Sequence, residues 1–251
     1  MTPYWVLSRR AIIETWRTPE ALLPTVFIPL FFLVVNVGQA ARIFPAGGTS
    51  FLEGQNYGAF QVPSALLLAA SFGSAAQYLV EDIEGGYFDK LRAAPVPRTA
   101  LVLGRLAAEA VKAFGIAALI VLAALPFGVS VATGVPGFVL LLALVAGWAV
   151  VFSGFMQLVA LKARSAAATQ SAGLVFFPFL FLTPNFVPRD LLTPPMEIAA
   201  TYNPVTYIME AQRSLILEDY AWARIGRGFA VIAVFGAVMM ALNVRAIRSY
   251  D

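Results

Sequence analysis

The residues best able to do chemistry crowd into one short segment, 81–92, where Glu81, Asp82, Glu84 and Asp89 stand among Tyr87, Phe88, Lys90, Leu91 and Arg92. Carboxylates at this spacing could hold Mg²⁺ against a lipid phosphate, with Glu81, Asp82 and Glu84 as ligands. Such membrane enzymes usually set two acid-rich motifs face to face, and no second acid cluster lies on the same side of this chain. The same residues also suit contact with a protein. Gly85 and Gly86 can break a helix and turn the chain, leaving 87–92 as a short amphipathic knob that Pro95 and Pro97 end. A solvated charged loop is the third reading of the segment.

Residue type removes other chemistries. With no His and no Cys, the chain has no imidazole base, thiolate nucleophile, disulfide or Cys/His metal site. The three lysines, Lys90, Lys112 and Lys162, none of them preceded by glycine, complete no phosphate-binding loop. Any ATP-driven work must therefore be powered by another polypeptide.

Three further groups carry polar or aromatic character. Arg105, Glu109 and Lys112 fall at i, i+4 and i+7 on one helical face. They read either as a polar lining at the mouth of a pathway or as a self-neutralising ladder with snorkelling ends. The stretch 4–18 is amphipathic at about 100° per residue, with Arg10, Glu14 and Arg17 on one face and Trp5, Ile12 and Trp16 on another. It suits a surface helix with tryptophans at headgroup depth and arginines toward lipid phosphate, and its polar face can also dock a partner. Phe176, Phe177, Phe179, Phe181 and Phe186 with Pro178 and Pro184 form an aromatic run. A lipophilic molecule could slide along Phe177 and Phe181, or the rings could simply pack. Ser71, Ser74, Gln77, Gln157 and Gln170 read as interhelical hydrogen-bond partners.

The elements that must position these groups are membrane helices. Of 251 residues 60% are hydrophobic and 12% charged, with mean hydropathy +0.79, whereas a soluble domain has roughly 45 to 50% apolar and 25% charged residues. Apolar runs near the spanning length of roughly 20 residues fall at 22–41, 58–80, 101–125, 137–161, 167–186 and 225–244. The expectation is an all-α membrane protein of six transmembrane helices forming one domain, 1–251, with no internal repeat. No small-residue cleavage site follows the first cations, so the first run reads as a retained anchor. Eleven of the 17 Lys and Arg lie on the side holding both termini and five on the other, with Lys112 inside the third run. By the positive-inside rule both termini are cytoplasmic. The basic balance follows this sidedness and implies no nucleic acid partner. In the long 187–224 segment, the piece 205–217 is too short and too charged to cross. It reads as a short helix pair that dips into the outer leaflet and returns, beginning after Asn203 and Pro204, or as a surface loop with one interfacial helix.

Two stretches carry a resemblance: 86–98, GYFDKLRAAPVPR, followed by Leu103, Gly104 and Arg105; and 202–213, YNPVTYIMEAQR. With the order of helices, they resemble the membrane-spanning permease subunit of bacterial type-2 ABC transporters, in particular drug and antibiotic exporters of the daunorubicin-resistance type. Gln212 departs from the small or apolar residue many relatives carry there. The resemblance implies an exporter permease of the bacterial cytoplasmic membrane with an N-terminal interface helix, a cytoplasmic coupling helix between helices 2 and 3, and a re-entrant helical pair before helix 6. It implies two copies of a separate ATPase subunit that hold the ATP and Mg, a second permease chain identical or related, and no cofactor on this chain. It assigns coupling to Asp82, Glu84, Tyr87, Phe88, Lys90, Leu91 and Arg92, and the extracytoplasmic gate to Asn203, Pro204, Tyr207 and Arg213. Drug-like, lipid or glycan cargo all fit the family.

Overall fold

A computed structural model describes residues 3–17, 19–72, 75–93 and 96–249; the side chains of Pro3, Trp16, Pro19, Glu20, Ala21, Ala75, Arg92 and Val175 lie outside that description. The described residues are helical throughout, with no strand among them. The α-helices run α1 (Pro3–Arg17), α2 (Pro19–Ala40), α3 (Tyr57–Ala70), α4 (Ala75–Glu84), α5 (Tyr87–Ala93), α6 (Arg98–Ala124), α7 (Gly134–Ala163), α8 (Ala166–Phe181), α9 (Pro194–Tyr202), α10 (Pro204–Leu217) and α11 (Trp222–Arg248).

Local chemistry sets many of these boundaries. Prolines open α9 and α10 at the first helical position, where the missing N–H costs nothing. The Asn56 side chain caps α3 by accepting from the Ala59 N–H at 3.0 Å, and Ser165 caps α8 through the Ala168 N–H. At the end of α4, Gly86 takes a left-handed φ of +69° and its N–H returns to the Ile83 carbonyl at 3.1 Å. The two glycines thus break the helix as the sequence requires, and α5 starts at Tyr87 in a new direction.

Among the described residues four helices are long and apolar enough to cross a membrane: Leu22–Ala40, Arg98–Phe127, Gly134–Ala163 and Trp222–Arg248. The other two expected runs are shorter as helices. The run 58–80 is divided into α3, 14 residues, and α4, 10 residues. The sequence Ser71-Phe72-Gly73-Ser74 supplies the reason, because Gly and Ser loosen the i to i−4 ladder. Ser71 turns its hydroxyl back to the Leu67 carbonyl at 2.8 Å. The run 167–186 yields α8, 16 residues with Pro178 inside, about 24 Å at 1.5 Å per residue against a hydrocarbon core of about 30 Å.

α7 is the central element, packed against α3, α4, α6, α8, α10 and α11, which is why it is apolar on every side. α10 is almost wholly buried between α3, α7 and α11. The pair α9–α10 also corrects one expectation: Asn203 stands between the two short helices and Pro204 opens the second, so the pair begins at Pro194 and not after Pro204. Large apolar residues of α2 and α11, among them Phe27, Phe31, Val234 and Val238, face outward, as suits helices bordered by lipid.

α1 lies along α6, and the contact has a steric requirement. A Cβ built at Gly104 would stand 3.0 Å from Leu7 Cβ, 3.1 Å from the Leu7 carbonyl carbon and 3.2 Å from the Ser8 nitrogen. Backbone cannot move aside as a flexible side chain can, so Gly104→Val is expected to lift α1 off α6 at a cost of about 2 kcal/mol. Limited proteolysis should then cleave within α1 at least several-fold faster than in the parent chain; unchanged protection would show that the contact tolerates a side chain.

Candidate functional site

The acid-rich segment resolves into three divergent contacts. Asp82, near the end of α4, accepts a short hydrogen bond from the Arg105 guanidinium of α6 and lies 3.6 Å from that of Arg10 on α1. Arg10 also stacks over the Tyr87 ring at 4.5 Å and stands 3.9 Å from Glu14. One carboxylate therefore joins α1, α4 and α6, and Arg10 extends the junction to α5. Glu84, two residues further, accepts from the backbone N–H of Ala166 at 2.9 Å, placing a negative charge at the N-terminal turn of α8 where the helix dipole favours it. Glu81 makes no ion pair with any described residue and borders a cleft instead. The three acids thus point to three different neighbours, and no described group of acids is placed to hold a metal ion.

α5 is held from inside by Phe88, 2% exposed, and by half-buried Leu91. Tyr87, Asp89 and Lys90 are exposed on its outer side, while the Arg92 side chain falls outside the described residues. Asp82 and Phe88 thus anchor the knob, and Tyr87, Asp89 and Lys90 form its accessible surface. Arg17 is exposed at the end of α1.

The polar face of α6 is paired differently from its sequence spacing. Arg105 turns to Asp82, 23 positions away, while Lys112 lies 2.5 Å from Glu109. All three are at most 8% exposed. Lys112 Nζ also reaches the Phe72 carbonyl at 3.4 Å, where α3 has ended and that oxygen lacks an intrahelical donor. Each of these three charges has a counter-charge, as the cost of an isolated one demands.

At the opposite end, Arg213 of α10 is 6% exposed and stacks over the Phe60 ring at 3.7 Å. It donates to the carbonyls of Pro184 at 2.6 Å, Asn185 at 3.1 Å and Phe60 at 3.3 Å. Asn203 caps α10 through the Val205 N–H and donates to the Phe179 carbonyl at 2.6 Å, satisfying the end of α8. Tyr207 donates to the Thr201 carbonyl at 2.8 Å, bracing the turn at Pro204. Arg189 grips Glu210 bidentately at 2.6 and 3.0 Å. Burial works against the Arg189 charge, but the Glu210 carboxylate outweighs it and holds the guanidinium above its ordinary pKa.

Sequence reasoning passed over two members of this network. Gln61 donates to Tyr57 Oη at 2.7 Å and to the Asn185 carbonyl at 3.0 Å, and Tyr57 donates to the Phe186 carbonyl at 2.9 Å. Their signal was available: an i, i+4 polar pair on one face of an otherwise apolar helix.

Between α2, the α3–α4 break, α7 and α8 opens a cleft of about 630 Å³. Phe72, Tyr78, Phe152, Phe176 and Phe177 give it aromatic walls, and Thr25, Ser71, Gln77, Thr169 and Gln170 supply hydrogen-bonding groups. Phe181 stacks on Phe177 at 5.9 Å and lines a smaller neighbouring pocket. Of the polar residues expected to bond between helices, Ser71 does so, accepting from the Trp148 indole at 3.2 Å. Gln77 and Gln170 border the cleft instead, and Ser74 lies outside the described residues. Gln157 is buried with neither amide atom hydrogen bonded, and nothing in the structure explains it.

Long apolar helices around a cleft, with the buried charges of α6 paired and Arg213 satisfied by carbonyls, define a multi-pass membrane protein. The family described as ABC-2 type transporter matches residues 2–217, and the chain belongs to it: this is a type-2 ABC permease, a transport subunit. It is 24% identical over 242 residues to a daunorubicin resistance ABC transporter permease protein of Streptomyces coeruleorubidus, covering 96% of this chain and 84% of that one. It is 26% identical over 223 residues to ycf38, a proposed transport permease of Pyropia yezoensis, covering 83% of this chain and 72% of that one.

Proposed function

We propose that this permease is the membrane-spanning part of an ATP-driven exporter in a bacterial cytoplasmic membrane, moving an amphipathic or lipophilic molecule outward. The observation that carries the proposal is the junction at Asp82, which ties the exposed knob of α5 to α1, α4 and α6 at one point. An ATPase subunit docking on Tyr87, Asp89 and Lys90 would push on three elements of the bundle at once. Two ATPase copies, carrying ATP and Mg, would act on two permease chains, and closure of the ATPases would switch the bundle between two packings as rigid parts.

In this reading the chain is one domain crossing six times, through α2, the discontinuous α3–α4 unit, α6, α7, α8 with the residues that follow it, and α11, with both termini cytoplasmic. The α9–α10 pair and the Arg213 network close the outer end. The cleft beside Phe176 and Phe177 receives the cargo: its volume suits one drug-sized molecule, and its aromatic walls suit a lipophilic one. The resistance function in the name of the Streptomyces relative supports drug-like cargo.

Affinity purification of the tagged chain in mild detergent, with mass spectrometry and an ATPase assay, tests the proposal. A co-purifying nucleotide-binding subunit and ATP hydrolysis are expected; a chain that comes down alone in several detergents would overturn it. Topology is tested separately, and the lack of cysteine makes labelling free of background. In intact cells, Leu191→Cys is expected to react with a membrane-impermeant thiol reagent, whereas Lys162→Cys is expected to react only after permeabilisation. The reverse pattern would invert the orientation.

A further inference from the structure

The cleft has a charge asymmetry that narrows its ligand. Among the described residues Glu81 is the single charged one on its lining, and no described Lys or Arg borders it. Of the described cations, Arg10 and Arg105 face Asp82, Lys112 faces Glu109, and Lys162 and Arg164 at the end of α7 do not reach the lining. Glu81 itself is exposed and has no ion-pair partner among the described residues, although its neighbours Asp82 and Glu84 both do work within the fold. The walls add ring faces, whose negative quadrupole attracts cations, and five neutral hydrogen-bonding side chains. We propose that Glu81 selects the charge of the ligand, so that the cleft takes aromatic organic cations in preference to neutral or anionic molecules of the same shape.

This inference rests on the reading of the cleft as the cargo site, and the experiment separates the two. Radiolabelled tetraphenylphosphonium, triphenylphosphine oxide and tetraphenylborate present similar phenyl surfaces with positive, zero and negative charge. Their binding to the full-length chain in nanodiscs is measured by scintillation proximity, with empty nanodiscs subtracted. The phosphonium is expected to bind tightest and the borate weakest. Glu81→Gln keeps the side-chain shape and is expected to weaken the phosphonium roughly fivefold, as befits one partly solvated charge contact, while leaving the phosphine oxide unchanged. Glu81→Lys is expected to reverse the order of cation and anion. Retained binding of the neutral probe shows that each variant is folded. Equal binding of cation and anion by the parent chain, or an equal shift of all three probes in Glu81→Gln, would overturn the charge selection and leave the cargo site standing. Binding of none of the three would remove the cargo site and the selection together.

Discussion

Asp82→Asn is expected to lower the stability of the permease by about 3 kcal/mol, because it leaves the Arg105 guanidinium buried without its counter-charge. Arg105 and Asp82 are 9% and 12% exposed at the side chain, so water cannot take over the lost contact. Arg10 loses its second carboxylate neighbour at the same time, though Glu14 remains 3.9 Å away. Asp82→Arg should do more damage, setting three cations together at the meeting point of α1, α4 and α6. In detergent the charge reversal is expected to lower the thermal transition and expose α5 to protease. In cells, under the proposed coupling, it should cut transport at least tenfold. The exchange Asp82→Arg with Arg105→Asp restores opposite charges and should recover most of the stability. If Asp82→Arg alone melts and resists protease as the parent does, the junction does not hold the knob.

Arg213→Met is the second large effect expected, a loss of about 3 kcal/mol. Methionine keeps much of the length and packs in apolar surroundings, but it leaves the Pro184 carbonyl without its donor and the Asn185 carbonyl with Gln61 alone, an unsatisfied buried group costing about 1 to 3 kcal/mol. Contact with the Phe60 ring is weakened as well. Arg213→Lys should fall between, since one ammonium cannot span three carbonyls arranged for a planar fork. Thermal unfolding of both variants in the same detergent checks the order; a lysine variant as stable as the parent would show that charge alone matters there. With the α8-to-α9 connection loosened, the 182–191 stretch should also become a protease site.

How much of this was legible in the residues differs from element to element. The break at Gly86 and the start of α10 at Pro204 could be read directly, because each depends on one residue's own backbone freedom or lack of it. The division of 58–80 into α3 and α4 was hidden by uniform hydropathy, which registers burial and is blind to a loosened hydrogen-bond ladder. The face shared by Arg105, Glu109 and Lys112 was real, yet it did not say who pairs with whom. Spacing along one helix favours the Arg105–Glu109 contact, but packing brought Asp82 to Arg105 from another helix and left Glu109 for Lys112.

By itself the sequence determined that this is a helical membrane protein, that it carries no phosphate loop, and where its chemistry-bearing segments begin and end. Those properties are sums over local composition or consequences of single residues, and they survive any arrangement of the helices. Only the tertiary structure decided that Asp82 and Glu84 serve separate partners, that Glu81 is left on a cleft, and that Arg213 serves three carbonyls from two other parts of the chain. The reason is that in an apolar surround each charge or polar group takes whichever partner packing brings within reach. That partner is set by how helices distant in sequence cross, which no local spacing encodes.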